Sequence, residues 1–173
     1  VGYEVAEQLG WRLPRQVVAP VASGSLMTKV DKAFRELVEL DLVEASPSSI
    51  FGAQATGCSP VSAAFNAGHD VVQPVRPDTI AKSLAIGNPA DGPYAIDVAR
   101  RTGGAIADVS DAEVVEGIQL LARTEGILLD PTYTSKAMTG MLDTIRKGNV
   151  RAGAVPIFLH TGGVFGLFAR RDL

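Results

Sequence analysis

The chain of 173 residues has a net charge of −3, with 46% hydrophobic and 20% charged residues, so it can fill one good core or two small ones. A mildly acidic balance without a basic stripe argues against nucleic acid as a partner; with no apolar run near the roughly 20 residues of a membrane span, the chain reads as cytoplasmic with no membrane partner. The single cysteine, Cys58, cannot form an internal disulfide and reads as a small buried residue, and no Cys/His spacing resembles a zinc site, so no metal is expected.

The first element is helical: "VGYEVAEQLG" sets Val1, Val5 and Leu9 at i, i+4 and i+8, with Gly10 as a stop. The sequence opens inside this pattern without a methionine, which suggests that its beginning is missing. A continuous apolar strand follows in "QVVAPV" (16–21), and then a helical pattern to about Leu42 with Leu26, Val30, Ala33, Phe34, Leu37 and Val38 on one stripe. "SIFGAQ" (49–54) is a second such strand; runs of this kind are expected where both sheet faces are covered. Residues 56–93 carry Pro60, Pro74, Pro77, Pro89 and Pro93 and read as a connection between two lobes, of the sort that borders a site. A helix around Tyr94 to Arg101 is stopped by Gly103 and Gly104, and "GGAIADV" (103–109) is the next strand.

"SDAE" then gives Ser110 and Glu113 the spacing of a capping box, so a helix starts there with Val114, Val115, Ile118, Leu121 and Ala122 inward. Another helix runs from about Thr134 to Lys147, with Ala137, Met138, Met141, Leu142 and Ile145 inward, and "VPIFLH" (155–160) is the last strand. Strands alternating with helices of 3.6 period make the class α/β, a parallel-rich sheet joined by crossover helices.

Three glycine-rich spots stand out: "VASGSL", "IGNPADG" (86–92) and "HTGG" (160–163). Two of them follow strands, at the carboxyl ends where open parallel sheets bind ligands. At "VASGSL" the amides of Ser23, Gly24 and Ser25 open a helix, their hydroxyls add donors, and glycine permits close approach, which together suit an anion. Neither G-x-x-x-x-G-K nor G-x-G-x-x-G is present, so a phosphate smaller than a nucleotide fits better. The same turn also serves as a plain strand-to-helix link with Ser25 as N-cap.

The segments "YEVAEQLGWRLPRQVVAPVASGSL", "GAQATGCSPVSAAF", "TIAKSLAIGNPADG" and "ARTEGILLDP" resemble, in order, those of threonine synthases in the fold type II (tryptophan synthase β-like) pyridoxal 5′-phosphate enzymes. From there "GILLDPTYTSKAMTGMLDTIRKG" and "IFLHTGG" are more similar to D-cysteine desulfhydrases and aminocyclopropane-carboxylate deaminases of the same superfamily. The resemblance implies pyridoxal phosphate as cofactor and a small amino acid as substrate. Its phosphate loop maps onto Ala22, Ser23, Gly24, Ser25 and Leu26, although a common family form, Gly-Asn-x-Gly-Asn, has asparagines and a further glycine that this loop lacks. Thr161 matches the position whose hydroxyl faces the pyridine nitrogen, and Tyr133 lies where the desulfhydrase and deaminase branch has an active-site tyrosine.

The family's Schiff-base lysine matches none of Lys29, Lys32, Lys82, Lys136 and Lys147. Lys29, Lys32 and Lys147 sit among helical charges and read as solvated; Lys82 and Lys136 alone lie near glycine-rich or polar loops. The resemblance therefore implies that residues 1–173 are the C-terminal portion of a pyridoxal phosphate-dependent lyase. A missing N-terminal half then supplies the lysine, and the whole is a homo-oligomer. The expected activity is that of threonine synthase, converting O-phosphohomoserine and water to threonine and phosphate. The alternatives are a desulfhydrase or deaminase, or a non-catalytic domain that binds phosphate or a partner half.

Overall fold

A computed structural model of the chain describes residues 1–150 and 153–168. Strands β1 (Gln16–Pro20), β2 (Ser49–Ala55), β3 (Ile106–Val109) and β4 (Ile157–Phe158) form one parallel sheet in the order β3-β2-β1-β4. The helices are α1 (Gly2–Gln8), α2 (Ser25–Glu39), α3 (Pro60–Asn66), α4 (Gly92–Thr102), α5 (Asp111–Glu125), α6 (Thr134–Arg146) and the short α7 (Phe165–Phe168). β1 is one of the two inner strands, in register with β2 from Gln16↔Ser49 to Pro20↔Ala53 and with β4 at Val17↔Ile157 and Val18↔Phe158.

Alternate side chains of β1 leave on opposite faces, and both faces are covered. Val17, Ala19 and Val21 pack with Met27, Val30 and Phe34 of α2, Val61 of α3 and Ile96 of α4. Val18 turns the other way, onto Phe51 and Ala137 of α6. Behind α6, Val109, Val114, Ile118, Leu129 and Met138 form a further cluster that holds α5. This two-sided burial is why the strands read as continuous apolar runs rather than as alternating ones.

The expected elements are present, with shifts that have local causes. The last strand is confined to Ile157–Phe158 rather than 155–160, because Pro156 has no N–H for the ladder. β3 starts at Ile106 rather than at Gly103, because Gly103 (φ 66°) closes α4 in the left-handed conformation. In α1 the inward face is Gly2 and Ala6, while Val1 is exposed: a Cβ on Gly2 would lie 2.6 Å from that of Ala33, so α1 meets α2 through its smallest side chains. α6 is buried all round from Thr134 to Gly140 and Ile145 is exposed, since its first half is wedged between the sheet and α5. Within 56–93 the chain forms α3, whose Val61 and Ala64 enter the core, and a 3-10 turn at Lys82–Leu84. No helix among the described residues is long and apolar enough to cross a membrane.

The capping box forms as the spacing requires. Glu113 N donates to Ser110 Oγ at 3.2 Å, and Ser110 N donates to Glu113 Oε2 at 2.7 Å. Ser110 Oγ also donates to Glu113 Oε2 at 2.7 Å, and the donations from that hydroxyl and from the Ser110 amide hold the Glu113 carboxyl below its ordinary 4.5. A depressed carboxyl stabilises the fold above its unfolded value and loses that contribution as pH falls through the folded one. Glu113→Gln is therefore expected to cost about 0.3–1 kcal/mol at pH 7. In urea denaturation, the gap to the unaltered chain should close as pH falls below 4.5; a gap independent of pH would contradict the assignment.

Candidate active site

Because β1 and β4 are parallel neighbours in register, the segments that leave their carboxyl ends, Val21–Leu26 and Leu159–Val164, emerge side by side. Leu159 N still donates to Val18 O at 3.1 Å, which fixes the start of the second segment. Helices α2, α3, α4, α5 and α6 begin at or beside this edge, each with amides that lack partners inside the helix.

Three of these helix starts are closed by the chain itself. Gln54 Oε1, buried on β2, accepts from Val61 N at 2.9 Å and Ser62 N at 3.0 Å at the head of α3. Ser110 and Glu113 close α5. Before α6, the buried Asp130 carboxylate accepts from Thr132 N (2.7 Å) and Tyr133 N (2.6 Å) through Oδ2, and from Thr134 N (2.9 Å) and Thr134 Oγ1 (2.7 Å) through Oδ1. α4 and α2 have no side-chain cap bond: α4 carries Pro93 in its first turn and rests on Ser23 O through Asp91 N, and α2 opens on Gly24, at φ 103°. Among the described residues, the only side-chain contact of a first amide in α2 is Ser25 N to Ser23 Oγ at 3.5 Å. The first amides of α2 and the positive end of its dipole remain available to an anion, which is the fit that a cofactor phosphate requires.

The turn 22–26 is narrower in its means than its sequence suggests. Gly24 is the cap and Ser25 the first helical residue, whose Oγ donates to the Asp91 carboxylate; Ser23 Oγ lies 3.2 Å from Ser25 Oγ. Asp91 N in turn donates to Ser23 O at 3.0 Å, so the head of α4 is seated on the turn. A Cβ on Gly24 would fall 2.7 Å from Asp91 O, so both conformation and space require glycine there. Leu26 packs against the core and Ala22 is half-buried, leaving backbone amides and the Ser23 hydroxyl as the turn's free means of holding a ligand.

The turn after β4 meets the head of α6. A Cβ on Gly163 (φ 98°) would lie 2.7 Å from Asp130 Cγ and 2.8 Å from Tyr133 Cδ2, so the His160–Gly163 turn rests on Asp130 and the half-buried Tyr133 ring. Thr161 is exposed beside it, and His160 lies edge-on to Phe158 with centroids 6.1 Å apart. Ser23, Thr161 and Tyr133, separated in sequence, thus share one edge of the sheet.

Of the lysines, Lys82 is exposed on the 3-10 turn, and Lys29, Lys32 and Lys147 are exposed on helices. Lys136 is different: it is 1% exposed in the first turn of α6. Burial lowers its pKa to about 8 against the opposing pull of Cys58, Asp130 and Asp111. Burial likewise pushes the Cys58 thiol up, away from the thiolate a nucleophile needs. Asp130, Gln54 and Asp91 were not singled out from sequence. An aspartate four residues ahead of Thr134 is a readable cap signal, whereas Gln54 and Asp91 act on partners that only the fold brings near. Two cavities, of about 1160 and about 390 Å³, are lined by residues preceding β1 and β2 and lie at the opposite end of the sheet.

A glycine turn that opens a helix at the carboxyl end of an inner parallel strand lies where open α/β sheets bind ligands. The chain belongs to the pyridoxal-phosphate dependent enzyme family, which it matches over residues 1–162, and pyridoxal phosphate is that family's cofactor. It is similar to the threonine synthase of Methanocaldococcus jannaschii (31% identity over 163 residues, 94% of this chain and 40% of the relative). It is also similar to the threonine synthase of Bacillus sp. strain ULM1 (31% over 160 residues, 92% and 42%). The chain thus spans about 40% of the length of the curated relatives it matches.

Among solved structures it resembles the processed threonine deaminase isoform 2 of Solanum lycopersicum (TM-score 0.70, 16% identity, 97% of this chain and 46% of that one). Serine racemase from Dictyostelium discoideum is also similar (TM-score 0.64, 17% identity, 94% and 48%). These likenesses establish the fold, that of the fold type II enzymes, of which the chain covers a part.

Asp130→Ala removes four charged hydrogen bonds at once and leaves buried donors unpaired. It is expected to destabilise the fold by about 2–3 kcal/mol in urea denaturation. A loss below about 0.5 kcal/mol would place these amides among groups that water satisfies.

Proposed function

We propose that this chain forms the phosphate- and ring-holding portion of a pyridoxal phosphate-dependent lyase of the threonine synthase type, acting on O-phosphohomoserine and water. The observation that carries the cofactor reading is the N-terminus of α2, which opens on Gly24 without a side-chain cap directly at the carboxyl end of β1, whereas Gln54, Ser110 with Glu113, and Asp130 close the starts of α3, α5 and α6. The substrate reading is supported by 31% identity to a threonine synthase over 94% of the chain.

Pyridoxal phosphate, when bound, supplies an electron sink for negative charge developing on a substrate carbon. The amides of residues 23–26, with the Ser23 hydroxyl, would hold its phosphate, and Ala22 and Leu26 would fix the turn. Asp91 keeps the Ser25 hydroxyl engaged and the turn in shape. Thr161 would offer its hydroxyl to the ring nitrogen, and a neutral hydroxyl, unlike a carboxylate, would not hold that nitrogen protonated. Tyr133 would hold a proton for the substrate. The rest of the protein supplies the Schiff-base lysine and most of the substrate contacts, and the assembled enzyme is a cytoplasmic homo-oligomer engaged in amino-acid biosynthesis. A second reading, a D-cysteine desulfhydrase or deaminase, is favoured by Tyr133 lying against Gly163 of the Thr161 turn.

Two measurements test this. Gly24→Val combines a forbidden φ with a clash against Asp91 O, and is expected to weaken pyridoxal phosphate binding at least about tenfold while leaving binding of unphosphorylated pyridoxal unchanged. Equal loss of both ligands would dissociate the phosphate from this turn. For the reaction, the chain is combined with the remainder of the Methanocaldococcus jannaschii relative as a separate polypeptide and assayed with O-phosphohomoserine. Threonine and phosphate in equal amounts are expected. Ammonia or sulfide released from small amino acids, without threonine, favours the second reading, and cofactor binding without turnover favours a non-catalytic domain.

A further inference from the structure

Midway along α2, Asp31 is 4% exposed, and two arginines meet its carboxylate. Arg101, near the end of α4, donates through Nη2 to Oδ2 at 2.9 Å and through Nη1 to Oδ1 at 3.2 Å, while Arg35 donates through Nε to Oδ2 at 3.0 Å. The bidentate arginine alone already pairs a buried carboxylate. Arg35 is in excess: it spends only Nε on Asp31, and its two terminal nitrogens have no protein partner among the described residues.

These groups face the cavity of about 390 Å³ at the amino end of the sheet, a volume within the range of roughly 300–1,000 Å³ that small ligands occupy. One wall is apolar, made by Leu13, Phe34, Val38 and Ile50, and the buried Phe34 and Ile50 belong to the main core, so that wall is fixed. α2 and α4 are joined at two levels, by Asp91 N on Ser23 O (3.0 Å) where they start and by the Arg101–Asp31 pair further along, so the cleft between them is formed in advance of any ligand.

Two further polar groups at this cavity are uncommitted. Glu39, one turn beyond Arg35, is exposed and makes no ion pair among the described residues. Ser48, just before β2, has its Oγ buried and without a partner, a cost that a bound polar group would remove. Thr102 at the same cavity is by contrast engaged, its hydroxyl donating to Val98 O at 2.8 Å and accepting from Ile50 N at 3.1 Å. Residues four apart on a helix stand with their Cβ atoms about 5–6 Å from each other. A guanidinium fork and a carboxylate at that spacing, beside an apolar wall, match a molecule that carries a carboxylate and an ammonium on one carbon together with an aliphatic side chain.

We propose that this cavity binds a free aliphatic α-amino acid, with its carboxylate on the terminal nitrogens of Arg35, its ammonium against Glu39 and its side chain on Phe34, Val38 and Ile50. Ser48 Oγ adds a hydrogen bond to the polar end, and Arg101 stays on Asp31, holding the carboxylate that orients Arg35. The site lies at the opposite end of the sheet from the Gly24 and Thr161 turns and is separate from the one proposed for cofactor and substrate.

The test is a titration of L-leucine into the isotope-labelled chain without pyridoxal phosphate, followed by the nuclear magnetic resonance shifts of backbone amides and arginine Nε–H groups. Saturable shifts are expected at Arg35 Nε and at the amides of residues 45–48, with half-saturation at about 1 mM, the affinity that a ligand of this size reaches through a few contacts. 4-Methylpentanoate, which lacks the ammonium, and 3-methylbutylamine, which lacks the carboxylate, are expected to bind at least about tenfold more weakly. Arg35→Gln, at an exposed position and with the Arg101–Asp31 pair left in place, is expected to weaken L-leucine binding at least about tenfold as well. The proposal is overturned if up to about 20 mM L-leucine gives no saturable shift. Equal binding of 4-methylpentanoate, shifts centred on the Gly24 and Thr161 turns, or unchanged binding by Arg35→Gln overturns it too. If Arg35→Gln does not fold, Glu39→Gln decides by the same loss. Because no cofactor is present, failure here leaves the phosphate reading of the Gly24 turn standing.

Discussion

The parallel pairing of β1 on both of its edges is the constraint from which the site follows. With β2 on one side and β4 on the other, Gln16–Pro20 has its backbone groups taken up by neighbours and its side chains by two separate cores. A strand held in this way cannot slip in register without exposing one core or the other. Its carboxyl end, and hence the turn 22–26, is delivered to a fixed place beside the segment that leaves β4.

At this edge the chain distributes helix-end charge unevenly. The amides at the heads of α3, α5 and α6 are consumed by Gln54, Ser110 with Glu113, and Asp130, which spend polar side chains on rigidity. Gly24 offers no side chain to the head of α2, and the amides left there are the feature on which the proposed phosphate site rests. The small residue is forced as well as permitted, because Asp91 and Ala95 of the α4 region close over it.

The relation to threonine synthases and to the threonine deaminase and serine racemase folds is one of part to whole. The chain covers nearly all of itself but 40 to 46% of the M. jannaschii and tomato proteins. Exposed aromatic rings at Phe165 and Phe168 lie just beyond the Thr161 turn.

The sequence by itself determined the class, the four strands, the principal helices and the glycine-rich turn, because these depend on periodicity, caps and stops that act within a few residues. The Ser110–Glu113 box and the Gly103 stop are of that kind. Helix α3 was not legible: it has seven residues, too few for a periodic signal, and its amides are capped from β2. Only the tertiary structure decided that Ser25 is spent on Asp91, that Gly163 lies on Tyr133, and that Lys136 is buried among Asp130, Asp111 and Cys58. In sequence, Lys136 in "TYTSKAM" stands apart from the helical lysines only by its polar-loop context, with no sign of burial. Its burial comes from α6 being wedged between the sheet and α5, a consequence of packing between elements far apart in the chain that no local pattern encodes.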